Sequence, residues 1–372
     1  MFKYLLNCLL LLGVVSSSLG ARLATSGTTL TYNGEQVYLN GVNIAWNNYG
    51  YDFGNGQYDG TLDEWLNDIG TAGGNAVRIW VHVEGYSSPA FGSDGTVTGC
   101  DSTGTFIDDV TRFLNTAQEN NILVIFTLWN GAYVTNQNEV QLFLDDTKLE
   151  SYIDNCFQEF ASSVAGHPAL GAWESINEPE GSVLVTSDSD PCYDTSLLEG
   201  SGAGWTVILH FIGRINQAAH EFDPTGLVTD PWILERIFQL SQLLQTPTPH
   251  SLHTQSTHAT PAALARRLNL TFYNCHTYDW NGQWSENDPF TVKASDYQLD
   301  KPLLIGEYSS ACAAGTSLTD LIEYGYSNGY VGTLDWHWAA TGGCSDTRDA
   351  QRSSLSYLSG RTENGVVDFT VA

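Results

Sequence analysis

Gly-Ala-Trp-Glu-Ser-Ile-Asn-Glu-Pro, residues 171–179, has the pattern of a short buried β-strand. The run is mostly apolar and is bounded by a glycine and a proline, both of which end regular structure. It delivers Asn177 and Glu178 at its carboxyl end, where barrels of parallel strands carry their functional residues. We expect Trp173 to shield Glu178 from water, which would raise the pKa of the carboxyl group toward that of a general acid. The alternative interpretation is a strand that stops at a proline and leaves a solvated glutamate.

A second stretch strengthens the functional interpretation. Residues 301–308, Lys-Pro-Leu-Leu-Ile-Gly-Glu-Tyr, form another short apolar strand pattern, and it closes on Glu307. Two strands that lie far apart in the sequence therefore each end in a glutamate. Hydrolysis of a glycosidic bond needs two carboxyl groups across a cleft, one as proton donor and one as nucleophile or base. The pair predicts that chemistry.

Strand and helix patterns alternate along the rest of the chain. A hairpin is predicted around Asn33-Gly34, a strong turn signal. Strands are predicted at residues 40–46, 75–81, 122–128, at the stretch that ends in Glu178, and at 227–229, 269–277, 302–306 and 330–336. Helices are predicted at residues 62–72, 105–119, 146–164 and 205–221. This alternation predicts an α/β fold, a single-domain (β/α)8 TIM barrel with a short N-terminal β-hairpin, in which Glu178 belongs to the fourth strand and Glu307 to the seventh.

Several of these segments carry a family resemblance. Val77-Arg78-Ile79-Trp80, Asn177-Glu178-Pro179 and residues 275–280 (Cys-His-Thr-Tyr-Asp-Trp), together with the strand that ends in Glu307, resemble glycoside hydrolase family 5 of clan A, and within it the animal endo-β-1,4-mannanases. The resemblance runs from about residue 38 to residue 371 with one break. It implies a retaining mechanism with Glu307 as nucleophile and Glu178 as acid/base, and it implies no metal and no cofactor.

The resemblance also assigns supporting roles. Arg78 is expected to hold Glu307 ionised and oriented, and Asn177 to bond the sugar 2-hydroxyl. His276 is expected to contact the acid/base region, and Tyr278 to donate to the nucleophile. From the residues alone, an arginine inside a barrel needs a carboxylate partner, and the spacing of two puts the histidine and the tyrosine on one face of a strand. The alternatives are a surface arginine and an ordinary core histidine and tyrosine.

Aromatic residues are the other indication of a sugar-binding site, because the apolar face of a pyranose stacks on a ring. Tryptophans at or just beyond predicted strand ends are Trp46, Trp129, Trp280, Trp284, Trp336 and Trp338. The resemblance implies that Trp336 is the platform under the sugar at the cleavage point, with Trp338 as the substitute if the strand register differs. His82 and Glu84 are expected to line the cleft or to lie in an exposed loop. The family often carries a histidine after the third strand, where this chain has Leu-Trp-Asn at residues 128–130.

Composition restricts the partners. The chain of 372 residues has 42 acidic and 14 basic side chains, a formal net charge of −28. Such a surface repels nucleic acid and anionic membranes, so a neutral β-1,4-linked polysaccharide is the expected partner and a monomer the expected state. Acidity that only keeps the protein in solution is the alternative.

The N-terminus and the cysteines both predict export. Residues 1–20 have the charged start, apolar core and small-residue exit of a secretory signal peptide, which leaves residues 21–372 as the catalytic domain. The cysteines beyond the signal are Cys100, Cys156, Cys192, Cys275, Cys312 and Cys344. An even set in a secreted chain suggests up to three disulfides, and we expect Cys312 to pair with Cys344 because both follow late strands on one face. Scattered cysteines without a CxxC pair make a metal site unexpected.

Residues 231–267 differ in composition from both flanks. The segment holds one acidic residue, Glu235, and neither glycine nor tyrosine, in a chain with 36 glycines and 18 tyrosines. The family resemblance also lapses there. Three interpretations stay open: a lineage-specific insertion, a metal loop around His250 and His253, or a coding-frame or splice error in the predicted gene. We favour the third, because a shifted frame would abandon the composition of both flanks at once.

Three functional hypotheses follow. The leading one is a secreted endo-acting mannanase that cleaves mannan, glucomannan or galactomannan. The second is an endo-β-1,4-glucanase that acts on cellulose, which the spacing of the glutamates cannot separate from the first. The third is a carbohydrate-binding barrel without turnover, although a binder has no need of paired carboxylates.

Overall fold

The computed structural model describes residues 21–182, 204–232, 261–279 and 281–372. Its strands are β1 (Leu23–Ser26), β2 (Thr29–Tyr32), β3 (Glu35–Val37), β4 (Leu39–Ala45), β5 (Ala76–Val83), β6 (Ala90–Phe91), β7 (Val97–Gly99), β8 (Leu123–Asn130), β9 (Leu170–Asn177), β10 (Leu227–Thr229), β11 (Pro231–Trp232), β12 (Tyr273–His276), β13 (Leu303–Tyr308) and β14 (Gly332–Asp335). Its α-helices are α1 (Thr61–Thr71), α2 (Phe106–Glu119), α3 (Gln137–Leu144), α4 (Asp146–Tyr152), α5 (Gln158–Val164), α6 (Trp205–Phe222), α7 (Pro261–Arg267), α8 (Leu318–Ser327) and α9 (Arg348–Leu358).

Parallel strands form a barrel that confirms the predicted fold class. Within the described ranges the main sheet has the order β10-β9-β8-β5-β4-β14-β13-β12-β11. Its two end members, β10 and β11, are consecutive in the chain and are separated only by Asp230. They are the two halves of one strand, the first paired with β9 and the second with β12, so the nine segments make eight strands around the barrel. Closure of the sheet brings the carboxyl ends of all eight strands to one rim.

Asp230 holds the break between these two halves. Its side chain is fully buried and accepts hydrogen bonds from the Ser175 amide at 2.9 Å and the Ser175 hydroxyl at 2.5 Å. The other carboxyl oxygen accepts from the Asn216 amide of α6 at 2.7 Å. One side chain therefore ties the fourth strand, the fifth strand and the helix that connects them.

We expect Asp230→Ala to lower the free energy of unfolding by about 2–4 kcal/mol, because it leaves the buried donors of Ser175 and Asn216 unpaired. Urea denaturation followed by tryptophan fluorescence measures the change. The matched control is Ser175→Ala, which removes one donor and leaves Asp230 its other partners, with an expected cost of about 1 kcal/mol. Equal stability of the wild type and Asp230→Ala would contradict a closing role for this side chain.

The sequence predicted most elements within two residues, and the differences have local causes. The N-terminal hairpin is confirmed and gains β1, which pairs antiparallel with β2. Strands β5 and β8 each run two residues further than predicted, to Val83 and Asn130, because their ends still face buried surroundings. The helix predicted at residues 146–164 is interrupted by a π-helical turn, Ile153–Phe157, and α3 was not predicted.

Apolar side chains fill the layer between the barrel and its helices. All eight residues of β5 and of β8 are buried, as is usual for parallel strands covered on both faces. Trp173 belongs to this layer, where its ring packs against Phe157 and Phe160 and its indole donates to Asp223 at 3.1 Å. The prediction that Trp173 shields Glu178 is therefore wrong, because the ring points to the helices and away from the barrel rim.

The predicted disulfide between Cys312 and Cys344 is present, with 5.3 Å between the Cα atoms, and it joins the loops that follow β13 and β14. A second disulfide joins Cys100 to Cys156, and Cys275 is a buried free thiol. Cys192, the predicted signal peptide and residues 233–260 of the anomalous segment lie outside the described residues. None of the helices in the described ranges combines the length and hydrophobicity that a bilayer crossing requires.

Candidate active site

Glu178 and Glu307 meet at the carboxyl-terminal rim of the barrel. Glu307 lies on β13, Glu178 directly follows β9, and His276 at the end of β12 stands between them. The Nδ1 atom of His276 lies 2.8 Å from Glu178 Oε1 and 3.5 Å from Glu307 Oε2. An oxygen of each glutamate and a ring nitrogen of this histidine all lie within 4.8 Å of one another. Two carboxyl groups that are distant in sequence can thus act on one small group of atoms.

Arg78 organises the floor beneath the two carboxyl groups. The side chain is fully buried on β5, and its Nη1 donates to Glu307 Oε1 at 2.6 Å. Its Nη2 donates to Asn177 Oδ1 at 2.7 Å. Because the asparagine oxygen is held by the guanidinium, the Asn177 amide group is directed away from Arg78, and one of its hydrogens reaches Asn130 at 3.2 Å. The guanidinium therefore fixes both a carboxylate and the orientation of a neighbouring amide donor.

Further contacts favour the ionised form of Glu307. Tyr278 donates its hydroxyl to Glu307 Oε2 at 3.1 Å, so both carboxyl oxygens accept from fixed donors. Burial raises the pKa of Glu307 above its ordinary value, and the positive charge of Arg78 opposes that rise. Asn43 supports the same region, since it accepts from Arg78 at 2.9 Å and donates to the Gly306 carbonyl at 2.8 Å.

Glu178 has the environment of a proton donor. Its carboxyl group has a polar contact with His276, and 29% of the side-chain surface is exposed, on the side of the cleft. Burial raises the pKa of Glu178, and Arg78 opposes the rise. The backbone at Glu178 has φ of +40°, a left-handed conformation that is uncommon outside glycine and that turns the side chain out of the strand direction. The following Pro179 fixes the exit of the chain.

His276 is neutral in this setting. Burial lowers the pKa of the imidazole to about 4, so near neutral pH one nitrogen carries the hydrogen. Carboxyl oxygens of Glu178 and Glu307 both face Nδ1, which favours the tautomer with its hydrogen on Nδ1. A hydrogen bond from Nδ1 occupies one oxygen of Glu178 and leaves the other free to carry the transferable proton.

Aromatic rings form one wall of the cleft. Trp46 and Trp336 are half-buried at the ends of β4 and β14, and their ring centroids lie 5.8 Å apart. Trp80 lies beneath them, 4.9 Å from Trp46 and 5.8 Å from Trp336. Two partly exposed indoles supported by a third give a rigid apolar surface beside the carboxyl groups, as stacking of a sugar ring requires. The sequence indicated Trp46 and Trp336 but not the supporting Trp80.

The structure does not bring all predicted residues to the cleft. Trp129 and Trp338 have no exposed surface: the first packs against Tyr152 and His82, and the second lies under Arg348 and Arg352. Neither ring can stack on a sugar in this conformation, so neither remains a candidate contact. Trp284 is half-buried against Phe290, and Trp280 lies outside the described residues.

His82 and Glu84 are also buried, which corrects the expectation of a cleft surface or an exposed loop. His82 bonds Ser88 through Nδ1 at 2.9 Å and stacks on Phe106, and burial lowers the pKa of its imidazole to about 3. Glu84 accepts from Tyr49 at 2.7 Å and from the amide and hydroxyl of Thr135. Both side chains hold loops in place.

Two buried polar residues of the site were not predicted from the sequence. Glu174 lies on β9 inside the barrel and accepts from Arg78, and Asn130 at the end of β8 accepts from Asn177. Asn130 stands where the family often has a histidine, and the 3.3 Å contact between its amide and Tyr49 extends the network along the rim. A charged residue in the middle of an apolar strand was the available signal for Glu174.

Among the described residues, Glu178, His276 and Glu307 are the one group with three metal-ligating side chains in reach of a common point. The donor set suits acid/base chemistry better than a cation, because the buried Arg78 guanidinium already bonds one of the Glu307 oxygens. A second positive charge beside that group would be repelled at short range.

Comparison with known proteins gives a consistent result. The chain is 40% identical to a mannan endo-1,4-beta-mannosidase of Cryptopygus antarcticus, over 96% of both chains. It is 38% identical to a mannan endo-1,4-beta-mannosidase of Mytilus edulis, over 96% of this chain and 98% of the relative. The crystal structure of beta-1,4-D-mannanase from Cryptopygus antarcticus superposes with a TM-score of 0.80 at 38% identity, covering 95% of this chain and 99% of that one. A scan against models of protein families finds no match.

Proposed function

From the membership of the chain in the animal mannan endo-1,4-β-mannosidases of glycoside hydrolase family 5, we infer that it is a secreted enzyme that cleaves internal β-1,4-mannosidic bonds by a retaining double displacement. Its substrates are mannan, glucomannan and galactomannan. The observation that carries the mechanism is the approach of one oxygen of Glu178 and one of Glu307 to within 4.8 Å. Retaining enzymes hold their carboxyl groups about 5–5.5 Å apart, whereas inverting enzymes need roughly 6.5–9.5 Å for an intervening water.

In the first step, Glu307 attacks the anomeric carbon while Glu178 gives its proton to the departing glycosidic oxygen. The C–O bond to the leaving sugar breaks, and an ester bond to Glu307 forms. Arg78 and Tyr278 hold the attacking carboxylate in a fixed orientation before the reaction. Preorganised donors of this kind need no rearrangement as charge moves, which lowers the barrier.

In the second step, Glu178 acts as base toward a water molecule that attacks the same anomeric carbon. The ester bond to Glu307 breaks, the water oxygen joins the sugar, and the water proton returns to Glu178. Asn177, oriented by Arg78, donates to the 2-hydroxyl of the sugar in both steps. Bonds to this hydroxyl strengthen as the sugar approaches an oxocarbenium-like state. The proton therefore cycles, and no external cofactor takes part.

Secretion is proposed from two independent features. Residues 1–20 have the pattern of a signal peptide, and disulfides such as Cys100–Cys156 persist mainly in oxidising compartments. The excess of acidic over basic residues suits an uncharged polysaccharide, which is not repelled by the surface.

Reducing-sugar release from galactomannan, glucomannan and carboxymethyl cellulose tests the substrate assignment. We expect hydrolysis of both mannans with a rapid fall in viscosity, which internal cleavage produces, and little release from carboxymethyl cellulose. Faster hydrolysis of carboxymethyl cellulose would replace the proposal with an endo-glucanase. Binding of galactomannan without release of reducing ends would replace it with a carbohydrate-binding barrel.

A further inference from the structure

Glu174 is a buried carboxylate of the barrel interior that the proposed reaction does not use. It lies on β9, four residues before the proton donor, and its side chain has no exposed surface. Its Oε1 accepts from Arg78 Nε at 3.0 Å, from Arg78 Nη2 at 2.5 Å and from Thr127 at 2.8 Å. Its Oε2 accepts from Asn274 at 2.9 Å. Both oxygens only accept, as those of an ionised carboxylate do.

The guanidinium of Arg78 is thereby shared between two carboxylates. One edge faces Glu174 with two nitrogens, while Nη1 faces Glu307. If Glu307 were the only carboxylate bonded to Arg78, the nucleophile would face the full positive charge of the guanidinium. With Glu174 present, the buried trio of two carboxylates and one guanidinium carries one net negative charge.

We propose that Glu174 is a positioning residue that acts through Arg78 to set the protonation and the reactivity of Glu178 and Glu307. The inference rests on the proposed function and deepens it. Without Glu174, Arg78 would bind the nucleophile more tightly and hold back its attack. With Glu174 present, the guanidinium still orients Glu307, but the negative charge of Glu174 offsets part of the attraction between Arg78 and Glu307.

The direction of the effect follows from the charges around the site. The ionisable groups that face it from the surrounding elements are Arg78, Glu178, Asp230, His276, Tyr278, Glu307 and Asp335. A nearby negative charge raises the pKa of an acid, so its removal lowers the pKa of both Glu178 and Glu307. A pair of unit charges several ångströms apart in a buried site shifts a pKa by on the order of one unit.

The Glu174→Gln variant tests the proposal through the pH profile of kcat/KM on galactomannan. We expect the acid limb, set by Glu307, and the alkaline limb, set by Glu178, to move together toward lower pH by about one unit. The plateau kcat should fall by up to about tenfold, because the nucleophile is held more tightly. Asn274 has a buried, unpartnered Oδ1 and can accept from the new side-chain amide by rotating its own, so the fold has a way to accommodate the change.

Thr127→Val is the matched control, because it removes a hydrogen bond to Glu174 without a change of charge. The acid and alkaline limbs of its pH profile should lie at the same pH values as those of the wild type. If Glu174→Gln does not fold, the double variant Glu174→Gln with Asn274→Leu removes the same charge without opposed amide groups and should show the same shift. Circular dichroism checks the fold of each variant.

If Glu174→Gln folds and the limbs of its pH profile lie at the wild-type pH values, the proposal is overturned, however large the loss of activity. If Glu174→Gln and the double variant with Asn274→Leu both fail to fold while Thr127→Val folds, Glu174 has a structural role instead. That result would also overturn the proposal. A wild-type chain that does not hydrolyse galactomannan would remove the proposed function together with this inference. If the wild type hydrolyses galactomannan but the pH profile of Glu174→Gln does not shift, only this inference fails and the proposed function stands.

Discussion

Glu307→Gln is expected to lower kcat on galactomannan at least about 10⁴-fold, since the amide cannot form the ester intermediate. Glutamine keeps the size of the side chain, its one carbonyl oxygen can still accept from Arg78, and the Tyr278 hydroxyl can rotate to accept from the new amide group, so the protein should fold and bind substrate. Initial rates by reducing-sugar release measure the loss. Glu159→Gln on the exposed face of α5 is the control, and it should retain wild-type activity.

The alanine variant at the same position tests the nucleophilic role by stereochemistry. Azide can enter the space that Glu307→Ala leaves open and attack the anomeric carbon of an activated aryl β-manno-oligoside from the same side. One displacement inverts the centre, so the expected product is an α-glycosyl azide, identified by proton NMR. Recovery of a β-glycosyl azide, or wild-type turnover by Glu307→Gln, would show that another residue is the nucleophile.

Both glutamates could be placed from the sequence because each closes a short apolar strand. The carboxyl ends of parallel strands meet at one rim, so two strand-terminal acids become neighbours without further information. Glu178 and Glu307 differ by 129 positions in the chain, yet the strands β9 and β13 bring them to a common histidine. Arg78, Asn177, His276 and Tyr278 were assigned to the site by the family resemblance, and in the structure their side chains contact one another or the two glutamates.

Two of the residues that sequence reasoning misplaced, His82 and Trp129, share one cause. The second and third strands run on to Val83 and Asn130, so His82 and Trp129 lie inside strands and not in the loops beyond them. Their side chains then point into the layer under the helices, where Phe106 and Tyr152 enclose them. Because both strand ends were predicted two residues too early, two buried strand positions were assigned to the rim beyond the strands.

Glu174 shows a different limit of the sequence. Within the strand that ends in Glu178, the earlier glutamate has no partner of opposite charge nearby in the chain, since Arg78 lies 96 positions away. The sequence pattern indicates that a charged residue inside an apolar strand needs a partner of opposite charge, but only the folded barrel shows which residue that partner is. Apolar patterns therefore define the scaffold, while the sharing of one guanidinium by two carboxylates becomes visible only after folding.

Raised pKa values of the two carboxyl groups predict a bell-shaped activity profile. Glu307 must be ionised, so activity falls as the pH drops through its pKa, and Glu178 must be protonated, so activity falls as the pH rises through its pKa. Burial raises both above their ordinary values, while the Glu307 carboxylate alone has fixed donors on both oxygens. The first proton therefore leaves Glu307, and the singly protonated pair is the active form.

Glu178→Ala is expected to reduce kcat on galactomannan on the order of 10³-fold, because the departing sugar oxygen then leaves without a proton. An aryl manno-oligoside whose leaving group needs no proton should escape most of this loss in the first step. The glycosyl-enzyme would then accumulate, because the second step lacks its base. A burst of aryl alcohol equal to the enzyme concentration, followed by slow turnover, is the kinetic sign of that accumulation.

Azide should relieve the slow step in Glu178→Ala, since it attacks the glycosyl-enzyme without the help of a base. Two displacements restore the original configuration, so the expected product is a β-glycosyl azide, opposite to the product of Glu307→Ala. His276→Ala serves as a comparison, because it removes the contact to both glutamates but leaves both carboxyl groups. If Glu178→Ala shows the same loss on activated and unactivated substrates, the proton donor is a different group. The two azide products together assign the two carboxyl groups independently, since each configuration reports which face of the sugar each glutamate occupies.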